Sequence, residues 1–180
     1  RGDFKGLSGF YTRGVIEGGY HYGVFSDPSA AGRLGSGPVA SSALKTFREA
    51  SQNRAVVLTA PWSLARESGG EAVLGQAAVL SQEVDALQVP DNPDARVQLT
   101  PLAVSGVLLR NGIDPIAHLG CRDRNRVALE SELLSLGATG VTSLFLLRGD
   151  DLPAGHRPKV KQVFEIGGKK LIEAARALAD

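Results

Sequence analysis

Arg148, Gly149 and Asp150 follow one another directly after the apolar run LFLL. A guanidinium offers a rigid fork of donors to an anion, and glycine lets a ligand come close to the backbone. The carboxylate of Asp150 stands beside both groups, so the three residues could form an anion-binding corner. The alternative is a surface turn with a local ion pair, since the same tripeptide also occurs at residues 1–3.

His118 is a second candidate, and it lies near the end of the apolar segment DPIAHLGC. Its imidazole could contact a ligand, or it could be a core histidine bonded to a neighbouring carbonyl; the two interpretations carry equal weight. The acidic and amide residues of DNPD could also bind a ligand, although an Asx-rich turn is the favoured interpretation. They are Asp91, Asn92 and Asp94.

The elements that position these residues alternate along the chain. Apolar runs end at Pro61, Pro90, Cys121 and Gly149, about 30 residues apart, which is the length of one strand-helix-strand step. Helical patterns lie between them, so the sequence predicts parallel strands with helices packed outside. A doubly wound sheet would accept four strands. We favour part of a (β/α)₈ TIM barrel, about four βα units, because every strand ends in a polar corner and these corners would form one face.

Helix boundaries can be predicted from caps and periodicity. Thr100 caps a helix over PLAVSGVLLR, and that helix is predicted to stop at residues 111–112. Leu129, Leu133 and Leu136 mark the buried side of the next helix, which is predicted to end near Gly137. Further helices are predicted within GEAVLGQAAVLSQEV and near QVFEIGGKKLIEAARALAD.

Residues 1–51 differ in composition from the rest of the chain. Residues 1–37 are rich in glycine and aromatics with short strand-like runs such as YHYGVF, and residues 38–51 predict a short adaptor helix that has Pro38 in its first turn. We therefore expect two regions: an N-terminal extension with its adaptor helix (1–51) and the N-terminal half of a barrel (52–180). The chain lacks methionine and starts with Arg1, so we expect a processed or partial chain.

Composition excludes several classes of function. The net charge of +1, without a basic block, argues against a nucleic-acid partner, and the longest apolar runs are far shorter than the ~20 residues of a bilayer span. The single cysteine, Cys121, allows no internal disulfide, and we predict it to be a buried small residue rather than a nucleophile. No residue spacing predicts a metal site. We expect a cytoplasmic protein.

The motifs HLGCRDRNR and LLSLGATGVTSLFLLRGDDLPAG, in this order and about one βα step apart, resemble two motifs of the methylenetetrahydrofolate reductases. Those motifs are the HLTC corner and the LRGD strand end, and the resemblance covers roughly residues 54–155. The family are FAD-dependent (β/α)₈ barrels of one-carbon metabolism. The resemblance implies hydride transfer from NADH or NADPH to FAD, and then to 5,10-methylenetetrahydrofolate, which yields 5-methyltetrahydrofolate for methionine biosynthesis.

Carried over residue by residue, the resemblance implies that His118, Arg148, Gly149 and Asp150 bind the cofactor. Arg148 and Gly149 would hold the ribityl-phosphate side of the flavin. Asp150 would lie near the isoalloxazine ring and the pterin, as the catalytic residue that tunes the redox potential. The family's acid, a glutamate on the first strand, aligns with Leu58, which cannot donate a proton.

Two further family positions also depart from the pattern. The threonine of the family's second strand corresponds to Val89 or its neighbour, and the threonine of HLTC is Gly120. Three hypotheses stay open: a standard reductase, a reductase-like flavin- or folate-binding protein that acts with a partner in methyl or electron transfer, and a non-enzymatic assembly module. A half barrel has open strand edges, so we expect a homo-oligomer or the other half of the barrel as partner.

Overall fold

The computed structural model describes residues 12–13, 23–26, 46–62, 64–65, 69–152 and 160–179, of which 12–13 and 23–26 are described by their backbone alone. Strands and helices alternate from residue 59 onward. In chain order the elements are β1 (Thr12–Arg13), β2 (Gly23–Ser26), α1 (Phe47–Asn53), β3 (Thr59–Pro61), α2 (Gly70–Leu80), β4 (Ala86–Val89), a 3₁₀ turn (Pro93–Ala95), α3 (Pro101–Leu109), β5 (Pro115–Gly120), α4 (Arg126–Thr139), β6 (Ser143–Leu147) and α5 (Gly168–Ala179).

The four strands β3, β4, β5 and β6 are parallel and lie side by side in the order of the chain. A doubly wound sheet would reverse its direction of growth at a switch point, and no reversal occurs among these strands. The winding is therefore that of a barrel wall. It confirms the prediction of a partial (β/α)₈ fold.

A fifth strand borders β6 on its other side. β2 pairs with β6 in antiparallel orientation, with Val24 opposite Phe145, and β1 pairs with β2. The strand-like run YHYGVF thus contributes to the sheet at its last residues. The edge of β6 that faces away from β5 is hydrogen-bonded, and the N-terminal region reaches the barrel wall there.

The two faces of the parallel strands differ in chemistry. One face packs against the helices in two apolar clusters and carries Leu87, Val89, Ala117, Leu119, Leu144 and Leu146. We call the opposite face the inner face, because a closed barrel would turn it toward its interior. The register places residues of every parallel strand on it, among them Thr59, Gln88, His118 and Phe145.

Local capping explains where the helices begin and end. Thr100 accepts a hydrogen bond from the amide of Ala103 and starts α3, as predicted, and Gly112, just beyond the helix, has a φ of +75°. The helix α4 starts at the cap Asn125 and buries the three predicted leucines. It ends at Thr139 rather than near Gly137, because Gly140, with a φ of +96°, is the residue that adopts the left-handed conformation.

Two other helices are shorter than their sequence patterns. α2 ends at Leu80, and the residues up to Val84 form the turn into β4. α1 starts with a reciprocal capping box between Thr46 and Glu49, while Pro38 lies outside the described residues. None of the described helices combines the length and apolar character that a bilayer crossing requires.

The amino-terminal end of the sheet contains a buried carboxyl group. Asp114 is 2% exposed, and the hydroxyl of Thr142 donates a 2.6 Å hydrogen bond to its Oδ2. None of the described residues bonds its Oδ1. Burial raises the pKa of Asp114 to about 6, although the bonds from Thr142 act in the opposite direction. This end of the barrel wall therefore holds a carboxyl group whose pKa lies well above that of an ordinary aspartate.

Candidate functional site

Asp91 joins the corners that follow β4 and β5. Its side chain is 2% exposed, and its Oδ2 accepts a 2.9 Å hydrogen bond from the amide of Gly120. Both terminal nitrogens of Arg124 donate to the same carboxylate, at 2.5 and 3.0 Å. Burial alone would lower the pKa of Arg124, but the hydrogen bond and charge of Asp91 outweigh it and raise that pKa. The two residues form a largely buried bidentate ion pair.

Arg122 makes a second link between the same corners. Its guanidinium is 7% exposed, donates to both carboxylate oxygens of Asp123 at 2.8 and 2.7 Å, and donates to the carbonyl of Asn92 at 2.8 Å. The hydrogen bonds to Asp123 are the main reason why the pKa of Arg122 is raised. Sequence reasoning missed both Arg122 and Arg124. The signal was present as two arginines directly after a buried strand, where chemistry is expected in a barrel.

The corner after β6 packs on Arg122. Gly149 has a φ of +85°, and a Cβ atom at this position would lie 3.1 Å from the Cβ of Arg122. Other residue types would be strained there both by the backbone and by the contact. The amide of Cys121 completes the junction because it donates to the carbonyls of Leu147 and Arg148, each at 3.2 Å. Glycine is thus required by the packing of two corners.

Arg148 is held by three partners. Its guanidinium lies 3.9 Å from the centre of the Phe164 ring, and it donates 3.0 Å hydrogen bonds to the Gly149 carbonyl and to Asp151. The local ion pair considered for this corner is therefore present. The side chains of Arg148 and Asp151 are 37% and 67% exposed, so this pair is worth at most about 1 kcal/mol and an anion could replace Asp151.

Asp150 is exposed at the tip of the same corner. Within the described part of the chain, no group donates a hydrogen bond to its carboxylate. Its charge does reach Arg122, whose pKa it helps to raise. Asp150 therefore acts on a guanidinium by its charge, while the described residues leave its oxygens without a hydrogen bond.

His118 lies on the inner face, two residues before the end of β5. It is 9% exposed, its Nε2 is 3.1 Å from Oε1 of Gln88, and its ring centre is 4.6 Å from that of Phe145. Burial lowers its pKa to about 4, so the imidazole is neutral at neutral pH. The histidine is thus buried next to a carbonyl oxygen, as the core interpretation expects, and it lies on the inner face.

The other candidate residues, Asn92, Asp94 and Cys121, lie in separate local environments. Asn92 forms a turn in which its Oδ1 accepts from the amide of Gln98 at 3.3 Å, while Asp94 makes an exposed ion pair with Arg96. The segment thus contains a turn, as its Asx-rich sequence favours, with a side-chain bond that spans six residues, whereas Asp91 belongs to the buried pair. Cys121 is fully buried, as predicted, and burial raises the pKa of its thiol to about 11.

The residues aligned with the family's polar positions can now be placed on the strands. Leu58 is 57% exposed just before β3, and its amide donates to Asp85. Thr59, one residue later, takes the inner-face position. On β4 the inner-face residue is Gln88, while Val89 packs against the helices. Gly120 leaves room for a Cβ atom, whose nearest neighbour would be Asp91 at 3.6 Å.

The contribution of the Asp91–Arg124 ion pair to stability can be tested with two matched variants. Asp91→Asn is expected to lower the free energy of unfolding by about 2–4 kcal/mol, because it leaves the buried Arg124 guanidinium without the carboxylate to which it is bonded. Asp94→Asn, at a side chain that is 68% exposed, is expected to change it by less than about 0.5 kcal/mol. Urea unfolding measures both values. Equal losses of unfolding free energy in the two variants would show that the buried ion pair contributes no more to stability than the exposed one.

Glycine-to-alanine variants test the packing of the corner after β6. Gly149→Ala is expected to destabilise the protein by about 1–3 kcal/mol, because φ is positive and Arg122 is close. Gly75→Ala, in α2 with no atom within 4 Å of its new Cβ, is expected to stabilise it by up to about 1 kcal/mol. Thermal unfolding measures whether each variant is more or less stable than the wild type. A neutral or stabilising Gly149→Ala change would contradict the described geometry.

The shifted pKa values of Asp114 and His118 make opposite contributions to stability. The pKa of Asp114 rises from 3.8 to about 6 on folding, so its contribution is fully present below pH 3.8 and is lost as the pH rises through about 6. The pKa of His118 falls from 6.5 to about 4, so its contribution is present above pH 6.5 and is lost as the pH falls toward about 4. Between about pH 4 and 6 the two contributions offset each other.

Single variants are expected to separate these contributions. Asp114→Asn removes the group that favours folding in acid, so its free energy of unfolding should fall more steeply than that of the wild type between pH 6.5 and 4. His118→Gln should change the slope in the opposite direction, and each change should total about 3 kcal/mol. Urea titrations at a series of pH values measure the slopes. Slopes equal to that of the wild type would refute the assigned shifts.

Comparison with known proteins adds one finding to this geometry. The family model for methylenetetrahydrofolate reductase matches residues 46–178. This range is more than half of the chain and contains all four parallel strands and the three corners described above. Searches of curated proteins and of solved structures gave no match. The chain belongs to the methylenetetrahydrofolate reductase family.

Proposed function

We propose that this protein is a flavin-dependent oxidoreductase that reduces 5,10-methylenetetrahydrofolate to 5-methyltetrahydrofolate with NADH or NADPH as hydride source. One observation carries the proposal: within the family match, Arg148, Gly149 and Asp150 form the corner at the carboxyl end of β6, packed against the corner that follows β5. Barrel enzymes place their chemistry at this end of the strands.

The residues of this corner fit an FAD molecule. Arg148 rests on Phe164 and is partnered by the exposed Asp151, so a phosphate oxygen can take the place of that carboxylate. Gly120, at the end of the inner face, leaves space where the family has a threonine. His118 is neutral and faces the same interior. When bound, FAD would supply the hydride acceptor and donor between nicotinamide and folate.

Asp150 is the proposed catalytic residue of this corner. Its carboxylate is exposed, unbonded by the described residues, and close enough to Arg122 to influence its pKa. Next to a flavin, a negative charge would disfavour additional negative charge on the ring and so tune its redox potential. The neighbouring guanidinium holds that charge in place without consuming its hydrogen-bonding oxygens.

A second candidate function follows from one specific feature of the inner face. The described strands β3 to β6 turn no carboxylate toward it, since the residue next to Leu58 that faces inward is Thr59. The family reaction uses an acid to open the methylene bridge of the folate. Without such an acid, the protein would bind flavin or folate and act with a partner in methyl or electron transfer.

Two measurements on the purified full chain distinguish these functions. Titration with FAD, followed by visible difference absorption, is expected to show the shifted flavin bands of a bound complex. Oxidation of NADH or NADPH is then expected to depend on added 5,10-methylenetetrahydrofolate. Flavin binding without folate-dependent oxidation would favour the second function. Absence of both flavin and folate binding would contradict both functions and leave the non-enzymatic assembly role.

Adjacent variants test the role of Asp150. Asp150→Asn is expected to slow folate-dependent turnover at least about tenfold while FAD affinity changes little, because the carboxylate acts on the ring rather than on the phosphate. Asp151→Asn removes a charge one position further on and should leave turnover within about twofold. Stopped-flow kinetics and FAD titration measure the two quantities. Parallel loss of FAD in the first variant would show that Asp150 is structural.

A further inference from the structure

Three polar side chains from three adjacent strands form a continuous hydrogen-bonded row on the inner face. Gln88 of β4 lies between Thr59 of β3 and His118 of β5. Its Nε2 is 2.7 Å from the hydroxyl oxygen of Thr59, and its Oε1 is 3.1 Å from Nε2 of His118. Neither the fold prediction nor the family resemblance singles out Gln88.

The chemistry of these groups gives the row a direction. The amide nitrogen of Gln88 can only donate, so it donates to the oxygen of Thr59 and turns its carbonyl toward His118. A carbonyl oxygen can only accept, so Nε2 of the imidazole must be the protonated nitrogen. A neutral imidazole carries one proton, which leaves Nδ1 as an acceptor. Among the described residues no donor occupies Nδ1.

The Thr59 end of the row can donate a hydrogen bond, whereas the His118 end can accept one. The oxygen of Thr59 accepts from Gln88, so its hydroxyl proton is left to donate elsewhere. The inner face would then present a hydrogen-bond donor on β3 and an acceptor on β5, separated by Gln88. Both differ from the carboxyl group that the family places on its first strand.

We propose that Gln88 is a positioning residue that fixes His118 as the Nε2-protonated tautomer. His118 then binds its ligand by accepting a hydrogen bond at Nδ1. The group that it takes is an N–H or O–H, such as a flavin ring N–H or a ribityl hydroxyl; the identity of this ligand rests on the proposed function. The direction of the row is a property of the chain itself and holds without a ligand.

The test is ¹⁵N NMR of the full chain labelled at histidine, recorded without flavin at mildly alkaline pH. The His118 signals are identified by their loss in His118→Gln. We expect an Nε2–H proton that is protected from exchange in the wild type. Gln88→Glu should keep this proton, because a carboxylate only accepts, and Gln88→Leu should lose it. Gln52→Leu, the same change at an exposed position of α1, should leave it unchanged.

The wild-type spectrum alone decides the proposal if a Gln88 variant fails to fold. A proton on Nδ1 of His118 would overturn it, because the Gln88 amide would then point the other way and the histidine would be a donor. A protected Nε2–H proton that survives in folded Gln88→Leu would also overturn it. Addition of FAD to the same sample separates the two proposals: without binding, the proposed function fails while the tautomer assignment stands.

Discussion

The buried carboxylate of Asp91 is the contact on which the arrangement of the corners depends. It receives the amide of Gly120 and both terminal nitrogens of Arg124, so it ties the end of β4 to the end of β5 and to the turn beyond. A charge buried to this extent is stable only with such partners. Once this turn is fixed, Arg122 has a defined position, and Gly149 can pack against it from the end of β6. The exposed Asp150 is thus held in place by a chain of contacts that begins at Asp91.

The sequence predicted the elements well because their signals are local. Caps such as Thr100 and the spacing of Leu129, Leu133 and Leu136 depend only on neighbours within a turn of helix. The end of α4 was placed at Gly137 instead of Thr139, because two glycines compete and only the backbone shows which one is left-handed. The Asp91–Arg124 pair spans 33 residues of sequence, and no local pattern predicts such a partner.

Register decides what the inner face contains. Alignment on Pro61 points to Leu58 as the counterpart of the family's acid, but successive residues of a strand face opposite sides, and Thr59 is the one that points inward. The same rule selects Gln88 instead of Val89 on β4. A polar row therefore exists where sequence alignment alone indicated Leu58 and either Val89 or its neighbour. It consists of neutral groups that form a row with a hydrogen-bonding direction.

The position of β2 constrains how the barrel wall can be extended. Each edge of a strand can hydrogen-bond to one neighbour, and β2 occupies the edge of β6 that a further parallel strand of a barrel would use. The antiparallel direction of β2 excludes it from being that strand. A closed barrel that continues beyond β6 therefore requires β2 to leave this edge, because both strands would need the same backbone groups of Ser143 to Leu147. The N-terminal strands and barrel closure compete for one row of hydrogen bonds, so any conformation that completes the barrel must first release them.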